Sequence, residues 1–203
     1  MIAVSTSRAL LPVIAGPELV GTAAGGGYLE FGDLVVALTP PGGPRMPNGI
    51  ETTARVPPGS AVRIGLGRLL LGALQVTPGV AWDPVPKVHH RPSGGPRLSP
   101  DPDQLAGCGP GLTPAGDDIL CGYVAGLFLF HDRRQEAAEI ALRAAGRTTR
   151  LSATLLRHAA IGELPEPAHA FLANGDARPL AAFGHSSGLC LRLGLVLAAA
   201  ARG

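Results

Sequence analysis

Aromatic residues make up only 4% of this chain, so large flat side chains cannot fill its interior. Ala, Leu, Gly and Pro fill the space instead, and helices lined with small residues can pack closely. Charge is scarce as well, at 16% of residues with a formal net charge of +2. The arginines are scattered, which excludes the basic field that nucleic-acid binding requires. Cysteine is limited to Cys108, Cys121 and Cys190. An odd number at wide spacing argues against a disulfide framework and for a reducing compartment, so the expected location is cytoplasmic. No apolar run approaches the roughly 20 residues of a membrane span. Ile119–Phe130 is too short, and Arg192 interrupts the last apolar stretch. Arg8 and the short segment after it, broken by Pro12, are expected not to form a secretion signal.

What is present is a hydrophobic content of 46% over 203 residues, enough for a sizeable core in one large domain or two small ones. The first half reads as β. Tyr28–Phe31 and Leu34–Leu38 flank a Gly32-Asp33 turn, and Ile50–Val56 and Ala61–Leu66 flank Pro57-Pro58-Gly59. Arg68–Val76 and Val80–Trp82 complete a run of short strands, which predicts a small barrel or sandwich. Asp83, between Trp82 and Pro84, reads as a turn former. From Pro84 to Pro102 the chain turns to Pro, Gly, Ser, His and Arg, the expected linker, with His89-His90 solvated in it. The second half reads as helical, with segments at Arg133–Ala145, Ser152–Ile161, Pro167–Ala173, Pro179–Phe183 and Leu189–Ala201. The expected class is α+β: a mostly β domain over 1–97, then an all-helical domain over 98–203. No internal repeat is evident.

The chemistry concentrates in Gly107-Cys108-Gly109-Pro110-Gly111-Leu112-Thr113-Pro114-Ala115-Gly116-Asp117-Asp118, directly before the apolar run Ile119–Phe130. Thr113 reads as a helix N-cap and Pro114 as the first helical residue. Asp117 and Asp118 then fall in the first turn, where the helix dipole favours negative charge. The glycine-rich loop can expose backbone N–H groups to a phosphate or carboxylate, as the Gly107–Gly111 amides would. The carboxylate pair could hold a divalent metal such as Mg²⁺; no organic cofactor is expected. No Lys-Ser/Thr follows the last glycine and no G-x-G-x-x-G follows a strand, which excludes a P-loop and a dinucleotide fold. Along the run, Ile119, Leu120, Tyr123, Val124 and Leu127 share one face, while Cys121, Gly122, Ala125 and Gly126 form an adjoining small-residue face. A helix of that kind is expected to be buried on most sides.

Gly184-His185-Ser186-Ser187-Gly188 repeats this pattern of glycine and hydroxyl before a helix. Arg147-Thr148-Thr149-Arg150 precedes another helix, with Ser152 near its start. Three donor-rich helix starts could converge on one anion. His185 could act as a general acid or base, or bond a neighbouring carbonyl. A Ser-His-Asp hydrolase using Ser186 or Ser187 has weak support, because no G-x-S-x-G elbow follows a strand.

The string Gly109-Pro110-Gly111-Leu112-Thr113-Pro114-Ala115-Gly116-Asp117-Asp118 resembles the signature of the AllH-like family. Supporting matches are Pro47-Asn48-Gly49-Ile50, Trp82-Asp83-Pro84, Thr148-Thr149-x-x-Ser152 and Gly184-His185-Ser186-Ser187-Gly188. The resemblance implies a subunit of an oxamate carbamoyltransferase that releases carbamoyl phosphate in purine (allantoin) breakdown and works with larger partner subunits. It also implies an acidic residue at position 190, where this chain has Cys190. The resulting expectation places Asp117, Asp118 and His185 as catalytic residues, with Asp117 and Asp118 also holding a metal or orienting the amide nitrogen of the carbamoyl group. Gly109, Gly111, Thr113, Gly116, Thr149, Ser186 and Ser187 would bind the substrate. Arg147 or Arg150 would neutralise developing charge. The partners would be larger subunits and a small anion, with no nucleic acid or membrane, and a homo-oligomer as an option. A non-catalytic assembly or regulatory subunit, in which the glycine motifs serve packing alone, is the rival. A metal-dependent small-amide hydrolase is a further alternative.

Overall fold

A computed structural model describes residues 1–201, which form two compact units, Met1–Pro84 and a second from Val85 onward. The first unit carries nine strands: β1 (Ser5–Ser7), β2 (Leu19–Gly25), β3 (Tyr28–Phe31), β4 (Leu34–Thr39), β5 (Gly49–Glu51), β6 (Ala61–Gly65), β7 (Arg68–Leu71), β8 (Leu74–Val76) and β9 (Val80–Trp82). They make one curled sheet in the order β8-β7-β6-β2-β3-β4-β5-β1-β9. A short helix, α1 (Leu11–Ala15), follows β1. The curl brings Ile2, ahead of β1, into a bridge with Thr77, just after β8. The barrel-or-sandwich expectation therefore resolves to one curled sheet and not two stacked ones. Alternate residues of β3, β6 and β7 point inward: Leu29 and Phe31, Val62 and Ile64, Leu69 and Leu71.

The Gly32-Asp33 turn joins β3 and β4 as expected, with Phe31 opposite Leu34 and Gly32 at φ 63°. Other strand boundaries differ from the expectation. The strand expected over Ile50–Val56 stops at Glu51, because the Thr52 hydroxyl accepts the Ala54 N–H and bends the chain out of the ladder. Arg68–Val76 is two strands, broken at Gly72 with φ 60°. β1 and β2 were not expected, since Ser-Thr-Ser and the glycine- and alanine-rich β2 lack clear alternation. Asp83 pairs with Arg8 at 2.8 Å on the surface. Glu51 is buried, accepting hydrogen bonds from the Ser5 hydroxyl (2.7 Å) and the Gly42 N–H (2.8 Å). Those bonds hold its carboxyl below the ordinary range.

The second unit contains α2 (Pro102–Leu105), α3 (Ala115–His131), α4 (Arg134–Ala145), α5 (Arg150–Ala159), α6 (Glu166–Asn174), α7 (Arg178–Ala181) and α8 (Ser187–Ala200). Its core is built from Leu120, Tyr123, Val124 and Leu127 of α3, with Leu156, Leu172 and Leu195 from α5, α6 and α8. The expected linker is not a free tether. The N–H groups of His89 and His90 both donate to Leu172 O (2.9 and 2.8 Å), the His90 ring meets Phe171 edge-on, and the Tyr123 hydroxyl reaches Ser99 Oγ at 3.2 Å. His89 is solvated as expected, but His90 is half-buried. Among the described residues no helix is long and apolar enough to cross a membrane.

α3 is buried along nearly all of its first three turns, as its small-residue face implies. The cause is its crossing with α8. A Cβ added at Gly122 would lie 2.0 Å from Leu191 O, and one at Gly194 2.0 Å from Ile119 O and 2.6 Å from Tyr123 N. The two backbones touch, which only glycine allows. Gly194→Ala is therefore expected to destabilise the protein by at least ~2 kcal/mol, since neither contacting backbone can yield without moving a helix. Gly146→Ala, at a position with nothing within 4 Å and an ordinary helical φ of -78°, should change stability by less than ~1 kcal/mol. Thermal unfolding of both variants checks this; equal effects would refute the close crossing.

Candidate functional site

The site is built where α3, α5 and α8 begin. The helix starts at Ala115, and Pro114 is its N-cap, with ψ 145° and no side-chain cap. Thr113 therefore does not cap α3. Its hydroxyl lies 3.2 Å from Ser187 Oγ at the start of α8. α8 begins at Ser187, two residues before the expected Leu189. Thr149 caps α5, accepting the Ser152 N–H at 3.1 Å, and its own hydroxyl donates to Leu112 O at 2.7 Å. The Ser152 hydroxyl reaches the same carbonyl at 3.5 Å. The glycine-rich loop is thus tied to two helix starts by hydroxyls the sequence had marked as substrate donors.

Asp117 and Asp118 sit in the first turn of α3 and are buried, at 1% and 7% exposure. Their surroundings differ. Asp117 Oδ1 accepts the Gly107 N–H at 2.8 Å and its Oδ2 accepts the Thr148 hydroxyl. Both oxygens are engaged, so Asp117 pins the loop and the α4–α5 turn to α3. Asp118 accepts from the Ser187 hydroxyl, while its Oδ2 is buried with no partner. Burial raises the Asp118 carboxyl to about 6, with the Asp117 charge adding to the rise and the Ser187 hydrogen bond opposing it. Its charge also raises the thiols of Cys121 and Cys190, after burial itself. Position 190, where the resemblance implied a carboxylate, is therefore close enough to Asp118 to feel its charge, a proximity that local spacing does not reveal.

The loop glycines divide by role. Gly116 is packed, since a Cβ there would lie 2.0 Å from Leu105 O, and its N–H is bonded to Cys108 O. Gly107 and Cys108 spend their N–H groups on Asp117 and Leu105 O. The cradle expected from the Gly107–Gly111 amides is thus reduced at its first two positions. The N–H groups of Gly109, Gly111, Leu112 and Thr113 have no partner among the described residues, on an exposed stretch where Gly109 and Gly111 have φ 122° and 96°. A Cβ at Gly111 would meet nothing, so packing does not explain that glycine. His185 and Ser186 are exposed on the loop before α8. Arg147 leans on Asp103 at 3.4 Å, beside Arg143. Among the described residues no three His, Cys, Asp or Glu side chains gather as a metal cluster.

Residues 105–199 match the family model described as oxamate carbamoyltransferase subunit AllH. The match covers the loop, the three helix starts and both carboxylates. No curated protein and no solved structure matches the chain.

Two outcomes follow from this arrangement. Thr148→Val removes the hydroxyl that satisfies a buried Asp117 oxygen and should cost about 1–3 kcal/mol in unfolding free energy. An unchanged melting temperature would contradict the pinning role. For Asp118, a folded-state value above the ordinary 3.8 favours folding of the protonated form. That contribution is full below about pH 4 and is lost as pH rises to about 6, by at most ~3 kcal/mol at ~1.4 kcal/mol per unit. Asp118→Asn should accordingly gain stability relative to the parent between pH 4 and 7, read by denaturant unfolding at each pH. A relative loss over that window would reverse the sign and refute the burial.

Proposed function

With residues 105–199 matching AllH as the premise, we propose that this chain is a subunit of an oxamate-type carbamoyltransferase and that its helical unit holds the small anionic substrate. The observation that carries the reading is the loop itself, where the N–H groups of Gly109, Gly111, Leu112 and Thr113 have no partner among the described residues and the Thr113 hydroxyl meets Ser187 at the start of α8. Backbone donors fixed in space suit a phosphate or carboxylate, because no side-chain entropy is lost in forming the contact. The loop is pre-organised through Leu112 O and through Thr113–Ser187. Ser187 and Asp118 then lie on the ligand side, and exposed His185 and Ser186 form a rim.

Mg²⁺ is not a fixed component of this reading. Both Asp117 oxygens already accept a hydrogen bond and one Asp118 oxygen has no donor, and among the described residues no third His, Cys, Asp or Glu side chain joins them. Larger partner subunits would bring the remaining groups of the reaction, which a family described as a subunit supports, and the reaction would serve purine-nitrogen breakdown in the cytoplasm.

The rival assembly-subunit reading draws on one observation: Gly116, Gly122, Gly188 and Gly194 all serve close packing. It leaves Gly111 and the free amides unexplained. Calorimetric titration of the full chain with carbamoyl phosphate separates the two. Saturable binding is expected, and Gly111→Ala, which must hold φ 96° with a Cβ, should weaken it about tenfold with little change in melting temperature. A folded chain that binds nothing, in a complex whose activity survives Gly111→Ala, would establish the assembly role.

A further inference from the structure

The segment Arg91-Pro92-Ser93-Gly94-Gly95-Pro96-Arg97 runs past the end of α8 that lies away from the candidate site. Arg91, Ser93, Gly94, Gly95 and Arg97 line an open cavity of about 470 Å³, together with the end of α8 from Ala199 onward. Small-molecule sites span roughly 300–1,000 Å³, so the cavity has room for more than an inorganic anion. The segment is seated and not loose. A Cβ added at Gly95 would lie 2.5 Å from Val196 Cγ1 and 2.9 Å from Val196 O, so its backbone rests on α8. Arg91 Nη2 donates to Ala199 O at 3.1 Å and lies 2.9 Å from His131 Nε2, and its guanidinium sits 5.5 Å from the centre of the Phe130 ring. Pro92 and Pro96 fix φ on either side of the glycines.

Arg91 has an ordinary explanation: it meets a carbonyl at the end of α8, where a cation is favoured. Arg97 has none. Its side chain is exposed and without a partner among the described residues, as are the Ser93 hydroxyl and the N–H groups of Ser93, Gly94, Gly95 and Arg97. Among the described residues no Asp or Glu lines the cavity. The end of α8 contributes roughly −0.5 of a charge against two guanidinium groups, so the cavity keeps a positive surplus. Guanidinium groups beside a hydroxyl and turn amides match the acceptor oxygens of a phosphate. We propose that this cavity is a second anion site, for a small molecule carrying a phosphate monoester. The phosphate would take Arg97, Ser93 and the glycine amides, and the organic part would lie against Pro92 and the alanines that end α8. The site is separate from the loop before α3, because α8 spans 14 residues, about 20 Å, and the two lie at its opposite ends. It stands whether or not that loop binds an anion.

Glycerol 3-phosphate is the probe and glycerol the uncharged control, read residue by residue in the amide ¹H–¹⁵N spectrum of the full chain. Saturable shifts are expected at Ser93, Gly94, Gly95 and Arg97, with half-saturation below about 1 mM, the range of metabolite sites. Arg97→Gln removes a charge that no contact in the fold uses, so the melting temperature should hold while the affinity read at Gly94 and Gly95 falls about tenfold. Shifts at Gly109 and Gly111 report the other loop and should be the same in parent and variant. A folded parent in which Ser93, Gly94, Gly95 and Arg97 do not move overturns the proposal. So does an affinity at Gly94 and Gly95 that is unchanged in Arg97→Gln, or a set of shifts that glycerol alone reproduces.

Discussion

The helical unit depends on the backbone-to-backbone crossing of α3 and α8. With glycine at 122 and 194, each helix replaces a layer of side chains with direct contact, so the axes come closer than Leu- or Val-lined helices could. The same approach brings the first turn of α3 and the first residue of α8 within hydrogen-bond reach. That is why Thr113 meets Ser187, and why Asp118 can accept from the same serine. Gly188, held against Leu180 O, fixes the start of α8 from its other side. The polar site is therefore a consequence of apolar packing below it.

On this frame the two adjacent aspartates divide their work. Asp117 spends its charge inside the protein, on a loop amide and a threonine hydroxyl, and in doing so sets the path of the glycine-rich loop. Asp118 is only half satisfied, and its burial makes the charged form less favourable. Proteins retain such a group where its deficit is made good by something that binds. The loop shows a parallel split between N–H groups spent on structure, at Gly107, Cys108 and Gly116, and those without a partner among the described residues, at Gly109, Gly111, Leu112 and Thr113.

Much of this was legible in the sequence, and the remainder was hidden for physical reasons. The glycine-rich loop, the acidic first turn and the small-residue face of α3 are local patterns, and local patterns survive folding. The β3–β4 hairpin was legible because Gly32-Asp33 states its turn. β1 and β2 were not, because their pairing partners lie far away and their own residues alternate weakly. Thr113 read as an N-cap by local spacing, but its hydroxyl is claimed by Ser187, 74 positions on. The commitment of Asp117 to Thr148 and the closeness of Cys190 to Asp118 are likewise tertiary facts. Spacing could mark these residues as a group but could not assign which oxygen each donor would occupy.

We propose that a small anion binds at the free amides of the loop, which the α3–α8 crossing holds in place. The most direct measurement is the amide ¹H–¹⁵N spectrum of the full chain during titration with carbamoyl phosphate. Saturable shifts are expected at Gly109, Gly111, Leu112 and Thr113, with Gly107 and Gly116 moving little because their N–H groups are already bonded. Shifts confined to other parts of the helical unit, or a spectrum that does not change, would contradict it.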